Sequence, residues 1–177
     1  MVPDLFAPVV AWRAWEVAET EDGWRLLSVH MRDTWPVGEP LVAACHRDRF
    51  LADASDAHAC PTFDCHCGIH DVSHPEGARQ YFVASWADVE YGMIALTDDY
   101  VPRAVGRVNL WGRVMVHSDG FRASLAYPQH LFLPEKRPDG GELGAECASM
   151  GLLDYGVPVE MIDAYTRDEM LAALPAA

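Results

Sequence analysis

Val105 to Tyr127 reads VGRVNLWGRVMVHSDGFRASLAY, and this stretch decides the fold. Between Val105 and His117, Val108, Leu110, Val114 and Val116 alternate with Arg107, Asn109, Arg113 and His117, the period of two that a half-buried strand imposes. Asp119-Gly120 turns the chain, and Phe121 to Tyr127 runs back as the second strand of an antiparallel hairpin. Gly106 and Gly112 interrupt the first strand. Glycine inside a strand pattern predicts a bulge or a close backbone approach, here one against which Trp35 or Trp111 lies flat. Arg107, Arg113 and Arg122, with Asn109, Trp111 and His117, make a polar sheet face that could take an anionic ligand. A solvated face is the simpler reading, since an antiparallel sheet commonly turns one face to water.

Upstream, Val9 to Val17 alternates bulky and polar residues around Trp12 and Trp15. Trp24 to Met31 does so again after the turn-forming Glu21-Asp22-Gly23, which predicts a second hairpin. Asp33 to Gly38 is a further turn, in which Trp35 beside Pro36 reads as an exposed anchor for a partner. Pro40 to Cys45 then adds a strand that ends on a cysteine. Downstream of the irregular stretch at 46–72, Ser73-His74-Pro75-Glu76 has the pattern of a capped helix start, for a helix running to about Trp86 with Tyr81 and Phe82 inward. Pro138 to Gly141 is a loop. Glu142 to Asp154 reads as a helix whose face carries Leu143, Cys147 and Met150, with Cys147 a buried thiol. Thr166-Arg167-Asp168-Glu169 is a second capping box, opening a short helix through Leu174. Hairpins followed by segregated helices predict one α+β domain over 1–177, with antiparallel β-hairpins, a zinc-tied loop at about 45–72 and two or three peripheral helices.

The chain has 177 residues, half of them apolar, enough to bury a substantial core. Its 13 basic and 27 acidic residues give a net charge of −14, which repels phosphate backbones and anionic lipid. Direct nucleic-acid binding is therefore disfavoured, whereas a basic protein partner is suited. The first residues lack the basic start and apolar core of a signal peptide, and no apolar run reaches the roughly 18 residues that cross a bilayer. A soluble, cytoplasmic protein is expected. In a reducing compartment, clustered thiols are metal ligands more often than disulfides.

Four of the five cysteines and five of the eight histidines fall between Cys45 and His74. Ordinary core packing does not require that density, and zinc prefers four thiolate or imidazole ligands in a tetrahedron. Cys65-His66-Cys67-Gly68 sets two thiols one residue apart, with Gly68 free to take the backbone turn that aims both at one ion. Cys45 arrives from its strand end. Either His58 or Cys60 supplies the fourth ligand, with His66, His70 and His74 in reserve. Four protein ligands leave no open position for water, so such a site fixes a loop and does no chemistry.

The run of Cys45, His58, Pro61, Cys65, Cys67, Gly68 and Ile69 resembles a signature of uncharacterised actinobacterial and phage-borne small proteins: C, then H-x-x-P, then C-x-C-G-I-Y. The resemblance continues through Gly106 to Val114 and Gly120 to Ala123. It implies no activity. It does favour His58 over Cys60, because His58 stands three residues before Pro61, giving Cys45, His58, Cys65 and Cys67 as the Zn2+ ligands. His70 stands where the signature commonly has tyrosine.

The expected function is a non-enzymatic, zinc-stabilised binding or adaptor protein acting on another protein. A zinc-dependent hydrolase is the alternative from a different class, with Asp64, Asp71 or Glu76 as general base, although no H-E-x-x-H or deaminase-type motif supports it. A third reading is an acidic decoy that occupies the nucleic-acid channel of a host protein.

Overall fold

The computed structural model describes residues 7–29, 31–45, 58–78, 103–135, 145–163, 169 and 172–175. Seven strands run in chain order: β1 (Val9–Thr20), β2 (Gly23–Ser28), β3 (Leu41–Val42), β4 (Ile69–Val72), β5 (Arg103–Val116), β6 (Gly120–Pro134) and β7 (Val159–Ile162). The helix α1 spans Ala145–Leu152 and continues as a 3-10 turn over Leu153–Tyr155. Among the described residues no helix is long and apolar enough to cross a membrane.

Both predicted hairpins form. In the first, Thr20 pairs with Gly23, leaving Glu21-Asp22 as a two-residue loop. Gly23 takes a φ of 99°, where a side chain would be strained, and the Thr20 hydroxyl accepts from Asp22 N (3.3 Å) and donates to Gly23 O (2.8 Å). In the second, β5 pairs with β6 from Val105↔Phe132 to Val116↔Phe121. β6 runs seven residues past the Tyr127 at which the sequence pattern ends, because Pro128 sits at a register shift and the strand resumes beyond it.

The two interruptions in β5 have different causes. At Gly112 two residues, Gly112 and Arg113, oppose the single Ser124, and Gly112 takes a φ of 73°. This is a β-bulge, with Arg113 N donating to Ser124 Oγ at 2.9 Å. At Gly106 a Cβ would run into the carbonyl of His130 on β6. Neither glycine makes room for a flat tryptophan. The bulge also re-aims the strand end: Val114 and Met115 are buried, whereas Val116, expected inside, is 73% exposed.

Strand pairing closes a circuit. β1 pairs with β5, β5 with β6, β6 with β4, and β4 returns to β1 through Trp12↔Val72. Alternation along β1 then separates two cores. Ala11, Trp15 and Val17 pack with Leu26, Trp35, Val108, Leu110 and Leu131; Trp12 and Ala14 pack with Ala78, Val105, Phe132, Ile162 and Leu174. Trp35 is fully buried rather than an exposed anchor. Its ring meets Trp15 edge-on at 5.4 Å, its Nε1 donates to Ser28 Oγ (3.1 Å), and its carbonyl accepts from the buried Tyr155 hydroxyl (2.7 Å).

Several expectations need correction. The irregular stretch does not extend to Val72, because Ile69–Val72 is a strand paired with β6. The strand expected at Pro40 to Cys45 shrinks to Leu41–Val42, although Ala43 N still donates to Ser124 O at 2.8 Å. The sheet is not purely antiparallel, since β7 lies parallel to β6. Ser73 does not cap a helix: its hydroxyl and its N–H both donate to Asp119 O in the β5–β6 turn. One helical turn follows at 75–78; the rest of that expected helix, with Tyr81 and Phe82, lies outside the described residues. So do the loop at 138–141, Leu143, the Cys147 side chain and Thr166, Arg167 and Asp168 of the expected capping box. Met150 on α1 is 69% exposed. Residues 169, 172 and 173 are helical and Leu174 is buried, in line with a short helix there.

Candidate metal centre

The sheet delivers the cysteines from two directions. Cys45 follows β3, and Cys65 and Cys67 precede β4; both strands pair with β6, so residues twenty apart in sequence converge on one place. Gly68 makes the step from Cys67 into β4 with a φ of 120°, as the C-x-C-G pattern requires. A Cβ there would also press on Pro61 (3.0 Å) and Arg122 (3.3 Å).

One ligand atom from each of Cys45, His58, Cys65 and Cys67 lies within 4.8 Å of all the others, a cluster compatible with a metal site. Cys45 Sγ and Cys65 Sγ are 3.7 Å apart, far beyond the roughly 2.05 Å of a disulfide. Metal–sulfur bonds of about 2.3 Å at tetrahedral angles put two sulfurs about 3.8 Å apart, so this pair already has that spacing. His58 Nε2 and Cys67 Sγ are closer, at 3.1 Å. Cys45 and Cys67 are buried, and Cys65 and His58 partly so. Cys60 is buried as well, but it is not one of the four; its thiol hydrogen-bonds with Cys67. Burial, with the Cys60 contact next, pushes the Cys67 thiol up.

The surrounding side chains supply what the loop backbone lacks. Among the described residues, no backbone–backbone hydrogen bond outside the strands involves residues 58–68. Buried carbonyls nonetheless need donors. Arg122 NH1 donates to the carbonyls of Cys65 and, at 3.4 Å, Cys67. Arg113 NH1 donates to Ala59 O (3.2 Å) and Pro61 O (3.3 Å). His70 Nε2 donates to His66 O at 2.7 Å. Burial foremost, then the nearby Arg122 and Arg13 charges, lowers the His70 pKa, which keeps this imidazole a neutral donor.

Arg122 is itself buried, and its Nε donates to His117 Nε2 at 2.8 Å, fixing that ring as the acceptor tautomer. The three arginines thus do not share a solvated face. Arg113 and Arg122 grip the cysteine loop, while Arg107 lies over Trp12 at 5.4 Å. These loop donors went unread in the sequence, because their role depends on β4 pairing with β6 and on the bulge at Gly112. Nor is Asp71 available as a base: it is wholly buried, with Oδ1 3.1 Å from Arg13 NH1. His66 and His74 are exposed and are not among the four.

No protein-family model, curated protein or solved structure matches this chain.

Proposed function

We propose that the chain is a zinc-stabilised, non-enzymatic binding protein whose metal loop is a fixed structural feature of a protein-docking scaffold. The observation that carries this is the donor set: three thiols and one imidazole within 4.8 Å. Soft sulfur with imidazole selects zinc among the common divalent ions. Four protein ligands complete a tetrahedron, so the ion ties Cys45 to the C-x-C turn and leaves no position for an activated water. Three thiolates around a dication carry a net negative charge, and the Arg113 and Arg122 guanidinium groups beside it offset that charge. Phe63 stands on this loop 83% exposed, a large apolar group held out by a braced backbone, as a partner anchor would be. The net charge of −14 suits a basic partner surface.

X-ray absorption at the zinc edge, on untagged protein with its metal counted by mass spectrometry, tests this reading. One zinc per chain with three sulfurs and one nitrogen is expected. His58→Ala should lose the ion and Cys60→Ser should keep it. A light oxygen ligand in place of the imidazole would mean an open site and would sink the non-catalytic reading.

A further inference from the structure

A cleft of about 760 Å³ lies beside β5, and no residue of the cysteine cluster lines it. Its walls include Pro8, Glu39, Pro40, Asn109, Trp111 and Tyr127. The register explains how these meet. Asn109 pairs directly with Tyr127, and Trp111 follows Asn109 by two residues, so all three side chains share one face of the sheet. Gly112, in its bulge, forms part of the rim.

The polar groups of the cleft are divided unevenly. The Tyr127 hydroxyl is already committed, accepting from Gly38 N (2.8 Å) and donating to Tyr155 O (3.0 Å), so Tyr127 offers a ligand only its ring. Among the described residues, the Asn109 amide and the Trp111 indole N–H have no hydrogen-bond partner, and both are only partly exposed. The cleft therefore presents two donors among aromatic and pyrrolidine groups, with the exposed Glu39 carboxylate also in its lining.

We propose that this cleft is the docking groove for a proline-rich, arginine-bearing segment of a partner protein, a reading that rests on the binding-protein function above. A polyproline II strand has no internal hydrogen bonds, so its carbonyls are free to accept from Trp111 and Asn109. Its pyrrolidine rings pack against aromatic walls, and it loses little conformational entropy on binding because it is already extended. The arginine is drawn to Glu39 and to the overall acidity. An oligosaccharide would also stack on Trp111, but it needs polar groups along its whole rim, and here the tyrosine hydroxyl is already used.

The test is a two-dimensional NMR titration of the zinc-loaded full chain, with the Trp111 indole signal assigned from its loss in Trp111→Phe. The probes are a decapeptide of prolines with one arginine, the same peptide with alanines for prolines, and cellohexaose. The proline peptide should shift the Trp111 indole saturably at sub-millimolar concentration. Asn109→Ala should weaken it about tenfold, as loss of one donor does, and Glu39→Gln should weaken it for the proline peptide, while a proline decapeptide with alanine for the arginine should bind the parent and Glu39→Gln alike. Equal binding of the alanine peptide, a response to cellohexaose alone, or no shift with any probe would overturn the proposal. The remaining indole signals report whether each variant is folded. Absence of peptide binding beside a three-sulfur, one-nitrogen zinc removes the groove and leaves the scaffold reading standing. Peptide binding beside an open zinc does the reverse.

Discussion

The β5–β6 hairpin and the loop at 58–68 lie against each other and are stabilised by different means. In the hairpin, ten residue pairs join the strands and Val105, Val108, Leu110, Leu131 and Phe132 are buried beneath or above them. Backbone groups there satisfy one another and burial supplies the drive. Among the described residues the loop has no such ladder. Its carbonyls at Ala59, Pro61, Cys65, His66 and Cys67 take donors from Arg113, Arg122 and His70, all of which sit on the sheet. The hairpin's register follows from its own alternating pattern, whereas the loop's carbonyls depend on side chains that the sheet supplies.

The largest effect should follow removal of one sulfur. Structural zinc contributes about 10–16 kcal/mol to the folding of small zinc peptides, so Cys65→Ser should take bound metal from one per chain to none. Amide exchange should then rise throughout 58–68 while β5 and β6 stay protected, read by hydrogen-exchange mass spectrometry. Loss of protection in both regions at once would show that the sheet depends on the ion and would erase the contrast.

Trp35→Ala should do the converse. The side chain is fully buried against Trp15 and holds Ser28, and its truncation should cost about 3–5 kcal/mol in urea denaturation. Both regions should lose stability together, with metal stoichiometry unchanged in the molecules that remain folded.

These differences explain what the sequence could show. Alternation made the 105–127 hairpin legible, and the 9–28 hairpin too, because a period of two survives in any half-buried strand. The Cys/His cluster was legible because that density of thiol and imidazole is not required by core packing. Long-range pairing was not legible. Ile69–Val72 is four residues long, and its neighbours in the sheet, β1 and β6, stand some fifty residues away on either side. Trp35 looked exposed beside Pro36 because its ring partner, Trp15, and its hydroxyl partner, Tyr155, are distant in sequence. Arg122 looked solvated because nothing local says that its guanidinium meets the carbonyls of Cys65 and Cys67.

Arg122→Lys addresses the join between the two regions. Lysine keeps the charge but lacks the fork that serves two carbonyls and His117 at once. Metal affinity should fall about 10–100-fold, as for other residues that orient ligands from outside the coordination sphere. Competition against a chromophoric chelator reads this directly. Arg113→Lys, at an exposed position, should lose less.

The smallest effect is expected at Asp71, which leads from the loop into the barrel-like circuit. Its carboxylate is fully buried; Oδ1 meets Arg13, while Oδ2 has no partner among the described residues. Arg13 also bonds His70 O (2.5 Å) and Ser28 Oγ (3.3 Å), and its guanidinium lies over Trp35 at 5.0 Å, so the pair links β4 to β1 and the core. Burial raises the Asp71 pKa above the ordinary 3.8, and the Arg13 charge only partly opposes this. The folded state thus holds the proton more tightly than the unfolded state. Stability from this group is full below pH 3.8 and declines as pH rises through the elevated folded value. Asparagine cannot titrate, so the unfolding free energy of the parent minus that of Asp71→Asn should shrink as pH is raised from about 4 and level off above the folded pKa. Protonation of the Cys/His cluster occurs in both proteins and cancels in the difference. A gap that widens with pH would mean that the Arg13 pairing outweighs burial, and that the barrel end of this seam is held by charge, much as the loop is.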